Sequence, residues 1–269
     1  MPQTFSLTAR QLAAFDADGV LRLPGFFPAS IVETMASRLW NDLEARFGAR
    51  RNEPRTWPRG MAFKFQDLVR GGAFNLVDTP DLGAVMDTLV GAGAWDRPKV
   101  WGQPLVTFPD DQAWDLRRLA WHTDYPATAL DRPLPAVRFF VYLGAVRPRG
   151  GATLVVRGSH LAMMALARDA GASIRSADAR SLLEARSAWL RGLFSKCADD
   201  GDRVTRFMDQ DGDLCGHPVR VVELTGEPGD LVLMHPGMLH TASPNVLDEP
   251  RLMLVKSIVA RNWTSTIRY

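Results

Sequence analysis

The sequence predicts a mainly β protein with flanking α-helices, arranged as a β-sandwich or jelly roll buttressed by N-terminal helices. Two observations favour this fold class. Helical patterns dominate residues 1–98, and short strand patterns separated by Gly/Pro turns dominate residues 99–269. A parallel α/β sheet would need helices as crossovers, whereas most connections between these strand patterns are turns. We therefore predict a single domain over residues 1–269.

Three helices, one short strand and a further extended pattern at residues 61–65 are predicted in the N-terminal part. Thr8 is typical of a helix N-cap, and Gly19 lies where this first helix should end. A short strand follows at residues 20–23. A second helix is predicted over about 30–47, where apolar residues recur every four positions, and a third over about 80–91, which begins with proline and aspartate. These helices form the predicted buttress.

The predicted jelly-roll core consists of seven strand patterns. They cover residues 99–108, 121–125, 137–143, 152–156, 219–224, 230–235 and 252–260. A helical and loop insertion interrupts them at about 161–217. We expect a helix near residues 179–194 in this insertion and a polar surface segment over residues 195–217, which are rich in Asp and Gly.

Bulk composition narrows the functional classes. The 269 residues are 46% hydrophobic and 23% charged, which is typical of a globular protein with a substantial core. The 32 basic and 30 acidic residues leave a net charge of +2, so nothing favours a nucleic-acid partner. Cys197 and Cys215 lack C-x-x-C spacing, and no signal-peptide pattern or membrane-length apolar run is present. A cytoplasmic protein without a membrane partner is the expectation.

The strongest chemical motif is a set of metal-ligand residues around His122. Asp124 lies two positions later, so the two side chains would share one face of a strand. This H-x-D alone is a weak signal, but His240 follows a later apolar strand. Two imidazoles and one carboxylate on neighbouring strands are typical of a facial triad that binds Fe(II) and leaves coordination positions open. Arg251 follows the next turn and could clamp a carboxylate with its guanidinium.

The other histidines are rivals for the third ligand position. His235 lies five residues before His240 and could serve as a ligand or as a partner of one. His160 ends a Gly-Ser-His turn, where an imidazole more often closes a hydrogen bond to the backbone. His217 lies in the polar segment, and we expect it to be solvated. His240 is therefore the preferred third ligand.

Four separate blocks, in the same order, resemble the phytanoyl-CoA dioxygenase family of Fe(II)/2-oxoglutarate oxygenases. The blocks are Asp16–Phe26, Trp121-His122-Thr123-Asp124, Gly150–His160, and Gly229–Leu233 leading to His240, Pro244-Asn245 and Arg251. Two departures are Arg157, where the family usually has proline, and Ala242, which replaces a hydroxyl residue of some members. Phe140 stands where some members place a tryptophan near the cosubstrate.

The resemblance implies a double-stranded β-helix and an assignment for each site residue. It places His122, Asp124 and His240 on iron and Arg251 on 2-oxoglutarate. Thr153 and Lys64 are implied as further cosubstrate contacts, and Phe140 as part of the cosubstrate pocket. The implied cofactor set is Fe(II) with 2-oxoglutarate and O2 as cosubstrates.

The expected reaction is hydroxylation of a small organic molecule, with release of succinate and CO2. Halogenating relatives lack a carboxylate at the position of Asp124, so this residue favours hydroxylation or a related oxidation. The substrate could be an acid, a lipid-like molecule or a natural product. Residues 109–120, 126–136 and 161–217 are expected to surround the entrance, and they carry Trp114, Arg117, Arg118 and Arg132. Oligomeric state is not predicted.

Two alternatives from other functional classes remain open at this point. One is a non-catalytic, cupin-like protein that binds a small molecule, although it would have no need for an intact set of ligands. The other is a metal-dependent hydrolase or isomerase on the same barrel, which would need neither O2 nor the clamp at Arg251.

Overall fold

Two antiparallel sheets face one another in this protein, and helices cover their outer surfaces. The computed structural model describes residues 5–62, 64–111, 113–116, 120–129, 131–196 and 202–263. Arg117, Arg118 and Cys197 therefore lie outside the described residues. Over the described part, no helix is both long enough and apolar enough to cross a membrane.

The helices and strands follow one another along the chain with few long connections. The helices are α1 (Ala9–Asp18), α2 (Ala29–Phe47), α3 (Gln66–Arg70), α4 (Pro80–Met86), α5 (Ser159–Ala170), α6 (Ser176–Arg186) and α7 (Ala188–Phe194). The strands are β1 (Val20–Leu23), β2 (Met61–Ala62), β3 (Gln103–Thr107), β4 (Ala136–Tyr142), β5 (Thr153–Arg157), β6 (Gly212–Leu214), β7 (His217–Leu224), β8 (Leu231–Met234), β9 (His240–Ala242) and β10 (Arg251–Val259). One larger sheet has the strand order β1-β8-β4-β10-β3-β2, and the smaller has the order β6-β7-β5-β9.

Alternation along the strands divides the buried residues into three layers. Phe140 and Tyr142 on β4 point between the sheets, together with Met253 on β10 and Val155 on β5. The intervening residues of the larger sheet pack against the N-terminal helices. Those of the smaller sheet pack against α5–α7. This two-residue periodicity is that of a sandwich with both outer faces covered, and it confirms the predicted jelly-roll class.

The observed ends of α1, at Thr8 and Gly19, confirm the predicted ones. The Thr8 hydroxyl accepts a hydrogen bond from the Gln11 backbone N–H, and the Gln11 side chain accepts one from the Thr8 N–H. This reciprocal pair is a capping box. Gly19 ends the helix with φ +72°, and a Cβ at this position would lie 2.1 Å from Met238 Cε and 2.5 Å from His160 Nδ1. Both backbone conformation and space therefore require glycine here.

The structure differs from three sequence-based expectations. Residues 121–125 do not form a regular strand, because only His122 pairs, with His240, while the carbonyls of Thr123 and Tyr125 accept hydrogen bonds from side-chain hydroxyls. The predicted helix at 179–194 is two helices, because the Ser187 hydroxyl caps the second one.

The third difference concerns the insertion predicted at about residues 161–217. The segment predicted to be a polar surface loop contains β6, which pairs with β7 from His217 onward, because Leu214, Val219 and Val221 fill the layer beneath α5–α7. The insertion also begins earlier than expected, since α5 starts at Ser159. At the N-terminal side, β1 and β2 form the two edges of the larger sheet. That part of the chain therefore completes the sheet as well as buttressing it.

Candidate active site

His122, Asp124 and His240 converge at one point between the two sheets. His122 exchanges two backbone hydrogen bonds with His240, at 3.0 and 2.9 Å, which fixes the two residues side by side. One ligand atom from each of the three side chains lies within 4.8 Å of the others. The Asp124 carboxylate lies between the imidazoles, with Oδ1 at 3.8 Å from His122 Nε2 and Oδ2 at 3.2 Å from His240 Nε2. The three predicted ligands are therefore brought together.

Both imidazoles are oriented by the backbone. His122 Nδ1 lies 2.7 Å from the carbonyl oxygen of Ala120, and His240 Nδ1 lies 3.0 Å from that of Met238. A carbonyl oxygen only accepts hydrogen bonds, so each Nδ1 carries the proton in the neutral imidazole. Each Nε2 is then the ring nitrogen that faces Asp124, and it can bind a metal ion through its lone pair when it carries no proton. This arrangement, in which a second partner fixes the tautomer, is typical of metal-binding histidine.

The charge state of the site favours ligation of a cation. Burial lowers the pKa of His122, even though about half of this side chain is exposed to solvent. Burial alone would raise the pKa of Asp124, but the hydrogen bond and charge of His240, together with Arg138 and His122, lower it. At neutral pH the site therefore offers an ionised carboxylate beside the neutral imidazole of His122.

Arg251 lies in the interior without an acidic partner among the described residues. Only 3% of the residue is exposed, and its Nη1 donates a hydrogen bond to the Gly151 carbonyl at 2.6 Å. Its Nε is buried without a hydrogen-bond partner in the described structure. Burial lowers the pKa of Arg251 to about 10, so the guanidinium still carries its charge at neutral pH. A buried, incompletely bonded cation of this kind favours an anionic ligand.

Asn245 holds the turn that places Arg251. Its Nδ2 donates to the carbonyls of Thr107 and Glu249, at 3.1 and 2.7 Å, and its Oδ1 accepts from the Leu247 backbone N–H. Asn245 is fully buried. The sequence showed Asn245 only as part of the family pattern, and these bonds give it a physical role.

The remaining predicted cosubstrate contacts fall into two groups. Thr153 and Phe140 are buried, and they share the inner faces of β5 and β4 with Val155 and Tyr142. Lys64, in contrast, is exposed after β2 and has φ +70°. Its carbonyl accepts a hydrogen bond from Arg46. The roles of Thr153, Phe140 and Lys64 in cosubstrate binding stay predictions.

The three other histidines lie outside the metal-ligand cluster. His160 Nε2 lies 3.0 Å from the Asp16 carbonyl, as expected for an imidazole that closes a backbone hydrogen bond. His235 stacks near His160 and does not join the three clustered ligands. His217 begins β7.

Two predicted entrance residues also have partners. Arg132 forms an ion pair with Asp16 at 2.7 Å, and the Arg149 guanidinium lies 5.6 Å from the centre of the Trp114 ring.

Arg138 was missed by the sequence reasoning. It lies on the inner face of β4 with Phe140, and its Nη1 is 2.8 Å from Asp124 Oδ2. Fourteen residues separate Arg138 from Asp124, and no local motif links them. The signal that could have found it is the alternation of β4, in which a charged residue occupies a position facing the core.

The donor set fits a ferrous ion. Two imidazole nitrogens and one carboxylate on a single side leave the opposite positions free, as in the facial triads of non-haem iron oxygenases. The half-exposed ring of His122 shows that solvent reaches this point of the barrel. The residues are thus suited to an open catalytic metal site rather than to a closed structural one.

Comparisons with known proteins agree with this geometry. HygX from Streptomyces hygroscopicus, solved with nickel and 2-oxoglutarate bound, matches with a TM-score of 0.54 and 21% identity, over 95% of this chain and 88% of HygX. EctD from S. alaskensis, solved with 2-oxoglutarate and 5-hydroxyectoine, matches with a TM-score of 0.54 and 20% identity, over 95% of this chain and 77% of EctD. At these identities the likeness establishes the shared fold.

A third similar structure is described as a carbocyclase. The non-heme alpha ketoglutarate dependent carbocyclase SnoK from nogalamycin biosynthesis matches with a TM-score of 0.50 and 17% identity, over 94% of this chain and 84% of SnoK. Among curated proteins, none matches this chain. The family profile of phytanoyl-CoA dioxygenase matches residues 15–253. This match spans most of the sequence, including the metal-ligand cluster and Arg251, and the chain therefore belongs to the phytanoyl-CoA dioxygenase family.

Proposed function

We propose that this protein is an Fe(II)- and 2-oxoglutarate-dependent dioxygenase that hydroxylates a small organic molecule and releases succinate and CO2. The observation that carries the proposal is the convergence of His122, Asp124 and His240 with both Nδ1 atoms tied to backbone carbonyls. This arrangement places two imidazole nitrogens and one carboxylate oxygen within reach of a single ion.

Arg251 supports 2-oxoglutarate as the cosubstrate. Its guanidinium is buried, charged and incompletely hydrogen-bonded, so it is suited to the distal carboxylate of a dicarboxylic acid. Thr153 lies on the same inner surface as the neighbouring Val155 and would add a hydroxyl contact. The structures of HygX and EctD with 2-oxoglutarate bound are consistent with this choice.

In this proposal the protein positions the reactants. When bound, Fe(II) and 2-oxoglutarate would supply O2 activation, in which oxidative decarboxylation of the cosubstrate is coupled to oxidation of a substrate C–H bond. His122, Asp124 and His240 would hold the iron on one side, and Arg251 would orient the cosubstrate. The apolar side chains of Phe140, Met253 and Val155 lie between the sheets and would limit the access of water to the reacting atoms. The open side near His122 would admit the organic substrate.

Hydroxylation is the favoured reaction within this class because Asp124 occupies the position that halogenating relatives leave without a ligand. EctD was solved with a hydroxylated compound, whereas SnoN and SnoK are described as an epimerase and a carbocyclase. Our choice of hydroxylation therefore rests on the intact carboxylate. The substrate class in this proposal is a small organic molecule: an acid, a lipid-like molecule or a natural product.

The direct test is a screen of candidate substrates for stimulated succinate formation. Protein purified without metal is supplied with Fe(II), 2-oxoglutarate and air, and succinate is quantified with each compound. We expect slow succinate formation without substrate and faster formation with the correct one, together with a product heavier by one oxygen atom. The matched control is Asp124→Ala.

Three outcomes would contradict the proposal. Succinate formation by Asp124→Ala at the parent rate would show that another site is responsible. Substrate conversion that persists without O2 would favour a metal-dependent hydrolase or isomerase. Metal and 2-oxoglutarate binding without any succinate formation would favour a non-catalytic binding protein.

A further inference from the structure

Arg138 is a charged residue on the inner wall of the barrel to which the proposed function assigns no role. Its neighbours on the inner face of β4, Phe140 and Tyr142, are buried hydrophobic residues. Placing a guanidinium on such a face costs desolvation free energy unless the charge is paired and hydrogen-bonded. The contacts of Arg138 therefore indicate what this residue does.

Two contacts fix the guanidinium of Arg138. Its Nε donates a hydrogen bond to the Ser257 hydroxyl at 3.2 Å, and its Nη1 lies 2.8 Å from Asp124 Oδ2. Ser257 is the residue directly opposite Arg138 in the register of β10 and β4. Because both partners lie on different elements, the planar guanidinium is held in one orientation by the fold.

The contact with Arg138 makes the two oxygens of Asp124 inequivalent. Oδ2 lies 2.8 Å from Arg138 Nη1 and 3.2 Å from His240 Nε2, whereas Oδ1 lies 3.8 Å from His122 Nε2. A carboxylate can bind a metal through one oxygen or through both. With one oxygen engaged by an arginine, the other is the free donor. Single-oxygen ligation by Asp124 would leave more of the metal's coordination positions open for the cosubstrate and O2.

We propose that Arg138 is a positioning residue that holds Asp124 as a single-oxygen metal ligand, with Ser257 holding Arg138 in turn. This inference rests on the proposed function, since it presumes that His122, Asp124 and His240 bind the metal. Partners of this kind that orient a metal-ligating side chain typically change metal affinity by about 10- to 100-fold when they are removed.

Positioning and electrostatics predict opposite effects, which makes the inference testable. The positive charge of Arg138 repels a divalent cation, so its removal would tighten metal binding if charge alone mattered. If orientation of Asp124 dominates, removal would weaken metal binding. The two effects are separated by comparing Arg138→Gln, which removes the charge, with Arg138→Lys, which keeps the charge but loses the planar fork.

The experiment is a calorimetric titration of Ni(II), and of Fe(II) under anaerobic conditions, into the metal-free protein and its variants. We expect Arg138→Gln to weaken metal binding by about 10- to 100-fold, with Arg138→Lys intermediate between it and the parent. Ser257→Ala, which loses only the hydroxyl contact, should weaken binding by a smaller factor. At saturating metal, kcat of the uncoupled 2-oxoglutarate reaction should fall in Arg138→Gln, with the KM for 2-oxoglutarate little changed.

Unaltered or tighter metal binding by Arg138→Gln would overturn the role of Arg138 while leaving the proposed function intact. A parent protein that bound neither metal would overturn both. Thermal unfolding of each variant without metal reports whether it is folded. If Arg138→Gln does not fold, Arg138→Lys and Ser257→Ala provide the test, and parental metal affinity in both would overturn the inference.

Discussion

Two pairs of neighbouring imidazoles in this protein have nearly the same ring geometry and different chemistry. The ring centres of His122 and His240 are 4.4 Å apart, and those of His160 and His235 are 4.8 Å apart, with an interplanar angle of 48° in both pairs. The first pair faces the Asp124 carboxylate. Among the described residues, the second pair does not form a metal-ligand cluster with a carboxylate. Ring proximity alone therefore does not make a metal site.

The hydrogen bonds of the two pairs explain the difference. In the first pair, backbone carbonyls accept a hydrogen bond from Nδ1 of each ring, and both Nε2 atoms stay available to a metal ion. In the second pair the His235 Nδ1 lone pair accepts the Gly237 backbone N–H at 3.1 Å. The His160 Nε2 proton goes to the Asp16 carbonyl, and His160 Nδ1 is buried against Gly19. The second pair therefore packs at the junction between α1 and the barrel.

The largest expected effect comes from removing a ligand of the first pair. We expect Asp124→Ala to weaken Ni(II) binding by more than about 100-fold, since loss of a direct ligand should exceed the loss of a partner that only orients one. His160→Ala is the matched control, and calorimetry should show metal affinity close to that of the parent. Loss of metal binding in His160→Ala, with a folded protein, would contradict the distinction between the two pairs.

A substitution at Arg251 tests whether 2-oxoglutarate binds beside the first pair. Arg251→Ala should raise the KM for 2-oxoglutarate by about 30-fold or more, which corresponds to the ~2 kcal/mol or more expected when one partner of a buried charged contact is removed. Metal affinity should change little, because Arg251 does not contact the ligands. An unchanged KM in steady-state succinate assays would remove Arg251 from the cosubstrate site.

Gly19 tests the packing role of the second pair. Gly19→Ala should lower the free energy of unfolding by about 2–4 kcal/mol, because the new methyl group overlaps Met238 and His160 and the backbone has φ +72°. Gly25→Ala is the control. Its φ is +60°, but nothing lies within 4 Å of the added Cβ, so only the backbone strain of about 1 kcal/mol is expected. Equal losses in urea denaturation would argue against the tight packing around His160.

The smallest expected effect is a dependence of stability on pH that originates in the second pair. Burial holds the pKa of His235 well below its ordinary value of 6.5, and it also lowers that of His160. The unfolded chain protonates these groups near pH 6.5 while the folded protein does not, so stability falls as pH decreases from about 6.5 toward the folded pKa values. His235 should contribute about 1 kcal/mol of loss between pH 6.5 and 5.5, and His160 should add a loss of the same sign.

The check is a series of denaturation curves of the parent and His235→Gln over this pH range. The variant should lose part of the acid dependence, whatever its absolute stability. Parallel curves for the two proteins would show that His235 is not a source of the dependence.

Local patterns predicted those parts of the fold whose structure is determined locally. The cap at Thr8, the end of α1 at Gly19 and the strand at residues 137–143 follow from neighbouring residues, and the structure confirms them. The loss of a regular strand at residues 121–125 was not predictable, because it depends on hydrogen bonds to Ser176 on a distant helix. The pairing of β6 with β7 was not predictable either, because a short polar strand has the sequence pattern of a loop.

The candidate site divides in the same way. His122, Asp124, His240 and Arg251 could be named because they lie within recognisable motifs, and the structure brings the three ligands together. The contact of Arg138 with Asp124 joins β4 to the irregular segment at residues 121–125, and no local pattern links the two. Lys64 was assigned by its spacing from the H-x-D motif alone, and its exposed position gives that assignment no added support.

The central claim is that one ferrous ion binds between His122, Asp124 and His240. The most direct measurement is an anomalous diffraction map, recorded at the iron absorption edge, from crystals grown without oxygen in the presence of Fe(II) and 2-oxoglutarate. The account predicts a single strong peak within bonding distance of both Nε2 atoms and of one Asp124 oxygen. A peak beside His160 and His235, or a site of three ligands without iron density, would contradict it.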